Sequence, residues 1–107
     1  MRTYTTNEGK LGDLHKRFKD HTNKLFQKHG MELVGYWTPT DKDKKHNTLV
    51  YILAYPDQEA RNESWEAFRD DPEWQKVYEQ SQFDAGGKIV KKVDSVFLDP
   101  TDYSPIK

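Results

Sequence analysis

The chain has 107 residues, with 17 basic and 18 acidic side chains, a net charge of −1 and an aromatic content of 13%. This length fits one domain, so residues 1–107 are treated as a single unit. The balanced charge leaves no basic surface for nucleic acid. The sequence has no cysteine, which excludes disulfides, zinc–thiolate sites and thiol nucleophiles, and no apolar run long enough to cross a membrane. We expect a soluble, cytoplasmic protein without nucleic-acid binding or membrane insertion.

Three elements are predicted in the first third of the chain. Residues 2–6 are rich in β-formers and are followed by a turn-forming Asn-Glu-Gly, which predicts a strand. Between residues 11 and 29 the apolar side chains recur at steps of three and four, which predicts an amphipathic helix that ends at Gly30. Residues 31–37 then alternate before a proline, and predict a second strand.

The remaining elements are a third strand, a second helical region and a fourth strand. Residues 47–55 are almost continuously apolar or aromatic, which is typical of a strand buried on both faces. A helical region begins at Pro56 or Asp57, and Pro72 interrupts it, so we predict two short helices at an angle. Glycines 86 and 87 end that region, and residues 89–98 predict the last strand.

The order of these elements is βαββαβ, the ferredoxin-like arrangement. It is an α+β fold with one four-stranded antiparallel sheet and the helices packed on one face. A sheet covered on one face should alternate apolar and polar residues, but residues 49–55 and 93–98 offer apolar groups to both faces. No further long helix is predicted, so the simplest cover is the same face of a second copy. The sequence therefore predicts a homodimer that closes a dimeric α/β barrel. A monomer with a partly exposed apolar patch is the alternative.

Histidines are the first candidates for chemistry. His15 and His21 face different sides of the predicted helix, and His15 and His29 lie about 21 Å apart along it, so neither pair can hold one metal ion. His29 beside Gly30 has a structural role as a cation at a helix C-terminus. His21 falls within the apolar stripe and is expected to face inward, either as a core-edge histidine or as a general base in a cavity. No metal site is predicted.

Aromatic residues with polar tips are the second group of candidates. Tyr4 and Tyr51 occupy strand positions that can face the barrel interior. Trp65 and Phe68 lie three apart on a helix and are interpreted first as core packing. An apolar chamber with a few polar groups is typical of a small-ligand site, and the alternative is buried polar groups that only satisfy one another. The candidate ligand-binding residues are Arg2, Tyr4, His21, Tyr36, Asn47, Tyr51, Trp65 and Phe68, of which His21 and Tyr51 are also the candidate catalytic residues.

Anion-binding motifs are weak in this sequence. The glycine pair at 86–87 lacks the strand-to-helix context and the lysine–serine pair of a phosphate-binding loop. Lys88, Lys91 and Lys92 form a basic cluster, but three aspartates follow within ten residues of Lys92. We therefore interpret these lysines as surface residues and predict no cofactor.

Six segments of the chain resemble the NIPSNAP family. They are Arg2-Thr3-Tyr4-Thr5, Gly35-Tyr36-Trp37, Asn47-Thr48-Leu49-Val50-Tyr51, Trp65-Glu66-Ala67-Phe68, Asp70-Asp71-Pro72-Glu73-Trp74 and the tail from Leu98 to Pro105. The resemblance spans nearly the whole chain and implies the dimeric α/β-barrel form of the ferredoxin-like fold. It implies no agreed biochemical activity, although eukaryotic relatives are linked to mitochondria and to vesicle or mitophagy signalling. The wider barrel superfamily includes cofactor-free monooxygenases, haem-degrading enzymes and ligand-sensing domains.

Two functional hypotheses follow. The first is a homodimeric binding module whose chamber holds a small, partly aromatic metabolite, or whose surface engages a protein partner. The second is a small enzyme similar to the cofactor-independent monooxygenases, in which His21 or Tyr51 deprotonates a phenolic substrate that Asn47 and Trp65 position. A haem-dependent version would need His21 as axial ligand. The first is preferred because no base, nucleophile and orienting partner can be identified together.

Overall fold

A computed structural model describes residues 1–106 and contains one antiparallel sheet of four strands. The strands are β1 (Arg2–Thr6), β2 (Glu32–Trp37), β3 (Thr48–Ala54) and β4 (Val90–Ser95). Their order across the sheet is β2-β3-β1-β4, so the first and third strands occupy the centre. Because every neighbouring pair is antiparallel, the predicted α+β class and ferredoxin-like order are confirmed.

The first helix is interrupted by one wide turn. Helix α1 (Leu11–Arg17) runs without a break into a π-helical segment (Phe18–Thr22) and then into α2 (Asn23–Lys28), and we call all three the first helical unit. The π turn is closed by the amide of Asn23, which bonds the carbonyl of Phe18 five residues earlier. Gly30, with φ of 81°, follows the C-cap residue His29 and ends the first helical unit, as predicted.

Two further helices follow β3, as the proline predicted. Helix α3 (Gln58–Asp70) is preceded by the N-cap residue Asp57, whose side chain accepts a hydrogen bond from the amide of Ala60. Helix α4 (Pro72–Ala85) has its proline in the first turn, where no amide donor is needed. Gly86, with φ of 78°, ends α4 in the left-handed conformation that glycine adopts without strain.

The last strand is shorter than the sequence predicts. We expect a strand over residues 89–98, but β4 ends at Ser95. The amide of Val96 bonds the carbonyl of Met1, so pairing with β1 runs out where β1 itself begins. Phe97 and Leu98 lie beyond that point and are 59% and 60% exposed. The apolar side chains of residues 96–98 are thus uncovered in the single chain, and their cover by a second copy stays a prediction.

One face of the sheet carries the core. Tyr4, Leu49 and Tyr51 point toward the helices and are buried, and Phe18 and Phe26 of the first helical unit pack on them. The rest of the buried apolar set comes from the first helical unit, α3 and the loops, and comprises Leu14, Leu25, Met31, Trp65, Phe68 and Ile89. The core is thus formed between one sheet face and one layer of helices.

The other face of the sheet has no helix on it within residues 1–106. We call it the open face, and its main apolar residues are Trp37, Val50 and Ile52, which share register across β2 and β3 with Gly35. A Cβ on Gly35 would lie 2.7 Å from the Trp37 indole, so glycine lets that ring lie flat on the sheet. The shortest dimension of the fold is 19 Å, as expected for one sheet and one helical layer.

Asp71 links the end of the first helical unit to the start of α4. Its Oδ2 lies 2.8 Å from Lys28 Nζ and 2.7 Å from His29 Nε2, at the end of α2. Its Oδ1 accepts a bond of 2.9 Å from the amide of Glu73 and so caps α4. These bonds, with Lys28 first and His29 next, hold the pKa of the Asp71 carboxyl well below its ordinary value.

Replacing Asp71 with asparagine keeps a cap but removes the charge. We expect Asp71→Asn to lower the melting temperature at pH 7 by roughly 5 °C. The folded-state pKa of Asp71 lies below that of the unfolded chain, near 3.9, so the charge stabilises the fold above about pH 4 and this contribution is lost as the pH falls further. The difference in melting temperature between wild type and Asp71→Asn should therefore shrink progressively as the pH falls below about 4. Asp57→Asn, at the exposed cap of α3, is the matched control and should change less; a gap that persists unchanged at pH 3 contradicts the assignment.

Candidate functional site

A cleft of about 280 Å³ lies between the helices and the β1–β4 side of the sheet. The first helical unit, α3 and α4 form its outer wall, and β1 and β4 form its floor. Its aromatic lining consists of Tyr4, Phe18, Phe26, Trp65, Phe68, Trp74 and Tyr78, and its basic lining of Arg17, Arg69, Lys88, Lys91 and Lys92. The cleft therefore combines ring faces with positive charge.

The aromatic wall is a continuous series of contacting rings that are tilted or edge to face. The centroids of Phe68 and Trp74 are 4.5 Å apart, and Trp74 lies 5.7 Å from Tyr78. Trp65 meets Phe68 edge to face at 5.5 Å. The indole nitrogen of Trp65 donates a 2.7 Å bond to the hydroxyl of Tyr55, which fixes the orientation of that ring. Of the eight candidate ligand-binding residues, Tyr4, Trp65 and Phe68 line this cleft, and the two helical residues are also core residues as interpreted from the sequence.

A buried hydrogen-bond network lies behind Tyr4. The hydroxyl of Tyr51 donates a 2.8 Å bond to the hydroxyl of Tyr4 and accepts a 3.0 Å bond from Arg2 Nε. The guanidinium of Arg2 also stacks on the indole of Trp65, 4.3 Å from the ring centre. The structure thus brings together four predicted residues, Arg2, Tyr4, Tyr51 and Trp65. They face the helices of their own chain, so the expectation that Tyr4 and Tyr51 face the barrel interior is wrong.

Tyr36 belongs to the same cluster but makes no polar contact. Its ring stacks on Tyr51 at 5.3 Å, and its buried hydroxyl has no hydrogen-bond partner within residues 1–106. Burial, with Tyr4 as the next cause, raises the pKa of Tyr36 above its ordinary value. Burial and the neighbouring Tyr4 also raise the pKa of Tyr51 well above its ordinary value. Both phenols therefore stay protonated at neutral pH, which argues against Tyr51 as a general base.

His21 does not face the core. The expectation of an inward side chain is wrong, since His21 is exposed while the next residue, Thr22, is buried. The physical reason is the π turn: one extra residue per turn brings Thr22 onto the face of Phe18 and turns His21 toward solvent. The hydroxyl of Thr22 donates to the carbonyl of Arg17 at 3.2 Å, which secures this wide turn. His21 consequently does not line the cleft.

Asn47 lies at the far end of β3, away from the aromatic cluster. Its side-chain oxygen accepts a 2.9 Å bond from the hydroxyl of Thr48, and its carbonyl accepts from the amide of Thr6. It lines a separate polar depression beside His46 and Lys91. The expectation that Asn47 joins Tyr51 at one site is therefore wrong, because Asn47 precedes β3 and lies four residues of extended chain away from Tyr51.

The basic side of the cleft was missed by the sequence interpretation. Arg17 is 5% exposed and has its guanidinium 5.4 Å from the ring centres of both Trp74 and Tyr78. Burial lowers the pKa of the Arg17 guanidinium, although arginine remains charged. The sequence did contain a signal for the inward position of Arg17, because Arg17 follows Leu14 by three residues and so lies on the same inward face of the helix. Lys88, Lys91 and Lys92 are exposed, as the surface interpretation predicted, and all three also border the cleft.

Two other features concern residues 1–106 as a whole. Nowhere in that range do three or more histidine, aspartate or glutamate side chains come together in a way that could hold a metal ion. None of the helices in the same range has both the length and the apolar character needed to cross a membrane.

The tyrosine network gives a direct test of the site's polar interior. We expect Tyr51→Phe to destabilise the fold by about 1–2 kcal/mol, because Arg2 Nε and the hydroxyl of Tyr4 each lose a buried partner. Tyr36→Phe is the matched control and should be neutral or slightly stabilising, since it removes a hydroxyl without a partner. Urea unfolding of both variants measures the difference. Equal free energies of unfolding for the two would show that the network contributes nothing.

Known proteins support both the fold and the family. The NIPSNAP family model matches residues 1–105, which confirms the resemblance seen in the sequence. An uncharacterized NIPSNAP domain protein from Burkholderia xenovorans is 26% identical, with a TM-score of 0.79 over 97% of this chain and 94% of that one. A NIPSNAP family protein with unknown function from Agrobacterium tumefaciens is 24% identical, with a TM-score of 0.81 over 99% and 89% of the two chains.

A second NIPSNAP family protein from Agrobacterium tumefaciens is 20% identical and has a TM-score of 0.80, covering 99% of this chain and 94% of its own. Because both Agrobacterium proteins are less than 25% identical to this chain, their likeness supports the fold alone. No curated protein is significantly similar to the chain. The match of the family model over residues 1–105 places this chain in the NIPSNAP family.

Proposed function

We propose that this NIPSNAP-family chain is a homodimeric binding protein that holds a small, partly aromatic metabolite in the cleft between helices and sheet. The observation that carries the proposal is the cleft itself, about 280 Å³ of space bordered by a series of contacting aromatic rings. Its volume lies at the small end of the range for ligand pockets and suits a molecule with one ring system. Binding of a protein partner is the weaker form of this hypothesis, because a concave site of this size fits a small molecule better.

The cleft has the mixture of groups that small-ligand sites use. Ring faces supply most of the lining, and a few polar groups converge on it, including the Tyr4 hydroxyl and the Arg17 guanidinium. Tyr4 and Trp65 are held by hydrogen bonds from the network behind them, so this part of the wall is ordered before a ligand arrives. Such pre-ordering supports binding because less conformational entropy is lost.

The alternative of a cofactor-independent monooxygenase-like enzyme has less support. Its proton abstraction needs a base in the cleft, but His21 is exposed outside it and the pKa of Tyr51 is raised by burial. Asn47, the proposed positioning residue, precedes β3 and lines the separate polar depression instead of the cleft. The haem-dependent version relies on the same outward His21.

The dimer is proposed from the open face of the sheet. Val50 and Ile52 are only half-buried there, and Trp37 is 51% exposed. A second copy that places the same face against this one would bury all three and give the sheet its second cover.

The cytoplasm remains the proposed location. What supports it is a sequence without cysteine, which is compatible with a reducing compartment. The compartment does not alter the binding proposal.

Light scattering tests the dimer. We expect the wild-type chain to elute with twice its monomer mass, 12.7 kDa, and Ile52→Lys to elute as a monomer, because a charge in the middle of a buried apolar interface is strongly unfavourable. Asn62→Lys adds the same charge on the exposed side of α3 and should stay dimeric. A wild-type monomer at micromolar concentration would rule out the dimer.

Ligand binding is tested by closing the cleft. Phenol, indole and benzoate serve as single-ring or fused-ring probes, with binding followed by ligand-observed NMR. We expect saturable binding to wild type and at least tenfold weaker binding to Val93→Phe, which fills the cleft floor. Val96→Phe is the matched control, since Val96 is exposed to a similar degree, 48% against 45%, but lies outside the cleft. If none of the probes binds wild type, or if both variants bind equally, the cleft is not the site.

A further inference from the structure

Arg17 is a buried charge with no acidic partner. Its side chain leaves only 5% of its surface exposed, and no salt bridge within residues 1–106 involves it. One of its terminal nitrogens donates a 3.3 Å bond to the hydroxyl of Ser81. Its Nε is buried and has no hydrogen-bond partner in the same part of the chain. A buried guanidinium normally has a carboxylate beside it, because an unpaired charge is costly to desolvate.

The surroundings of Arg17 offset only part of that cost. The faces of Trp74 and Tyr78 each lie 5.4 Å from the guanidinium and attract it through cation–π interactions. These contacts leave the Nε–H without an acceptor. Since Arg17 lines the cleft, the missing acceptor can come from a ligand that occupies it.

The remaining charges of the cleft point to the same kind of ligand. Arg69, Lys88, Lys91 and Lys92 also line it, and within residues 1–106 no aspartate or glutamate does. Lys92 pairs in register with Thr5 and lies 3.6 Å from Asp94 on the open face, so its charge is directed away from the cleft. The other cations leave a positive potential in a concave, ring-walled space, which attracts anions.

From these observations we propose that the ligand of the cleft is an aromatic carboxylate, whose carboxylate oxygens bond the Arg17 guanidinium while its ring packs on Trp74 and Phe68. This inference rests on the proposed binding function and names its ligand class. A carboxylate is favoured over a phosphate because it is planar, matches the guanidinium fork, and fits a narrow space between ring faces. The volume of 280 Å³ suits a single aromatic ring with a short acidic group.

The wild-type protein provides the first test, with benzoate compared to benzamide. The two probes have nearly the same shape and differ in charge, so a binding advantage of benzoate measures the anion contact. We expect benzoate to bind at least about tenfold more tightly, the value for one charge-assisted hydrogen bond. Equal affinities overturn the inference. Inorganic phosphate is a third probe, and tighter binding of phosphate than of benzoate would overturn the choice of an aromatic carboxylate.

A second measurement locates the contact on Arg17. Arginine Nε–H groups give separate NMR signals, and the chain has four arginines, Arg2, Arg17, Arg61 and Arg69. Benzoate should shift the Arg17 signal most, because its Nε–H gains an acceptor. Arg17→Met should bring the affinities for benzoate and benzamide within about twofold of each other, whereas Arg61→Met, at an arginine outside the cleft, should keep the preference. If Arg17→Met does not fold, the NMR shift in wild type decides: an unmoved Arg17 signal overturns the inference.

The outcomes also separate this inference from the proposed function. If phenol, benzamide and benzoate all fail to bind, the proposed binding function itself is wrong. If phenol and benzamide bind with the same affinity as benzoate, the cleft is a neutral aromatic site and only the carboxylate inference is wrong.

Discussion

The packing of aromatic rings between one sheet face and the helices is the constraint on which the rest of the structure depends. Tyr51 lies at its centre, fully buried, with the rings of Tyr4, Phe18, Phe26 and Tyr36 at centroid distances of 5.2 to 6.1 Å. Rings with polar tips bring hydroxyl groups into the core, and these must find partners. The Arg2–Tyr51–Tyr4 chain of hydrogen bonds supplies them, and it leaves only the Tyr36 hydroxyl of this cluster unpaired.

The same arrangement explains why the fold has both a cleft and an open face. The helices cover one side of the sheet, so Trp37, Val50 and Ile52 on the other side remain available for a second copy. On the covered side, the first helical unit, α3 and α4 stand off β4 enough to leave the cleft. Dimerisation and ligand binding would therefore use opposite faces of one sheet, and neither would obstruct the other.

The π turn of the first helical unit decides which side chains reach the cleft. It follows directly after Arg17, and its extra residue turns Thr22 inward and His21 outward. The π turn therefore removes the predicted histidine from the cleft, whereas Arg17 reaches the cleft because it follows Leu14 by three residues in α1. The cleft thus has arginine and no histidine among its lining residues within 1–106.

The order of elements, the helix ends at Gly30 and Gly86, the break at Pro72 and the ferredoxin-like class were determined by the sequence, because they follow from local preferences of a few neighbouring residues. The family could also be read from short segments, and the family model confirms it. The site could be read only in part: Tyr4, Trp65 and Phe68 line the cleft as candidates, but His21 and Asn47 do not.

Tertiary structure alone decided the rest. The direction of His21 depends on a π turn in which Thr22 is buried and its hydroxyl bonds the carbonyl of Arg17, and the end of β4 depends on where β1 can pair with it. The charge of the cleft depends on Arg17 and Lys88 meeting across about 70 residues of sequence. Short-range patterns carry no information on such contacts, because they arise only when distant elements are brought together by burial of the aromatic core.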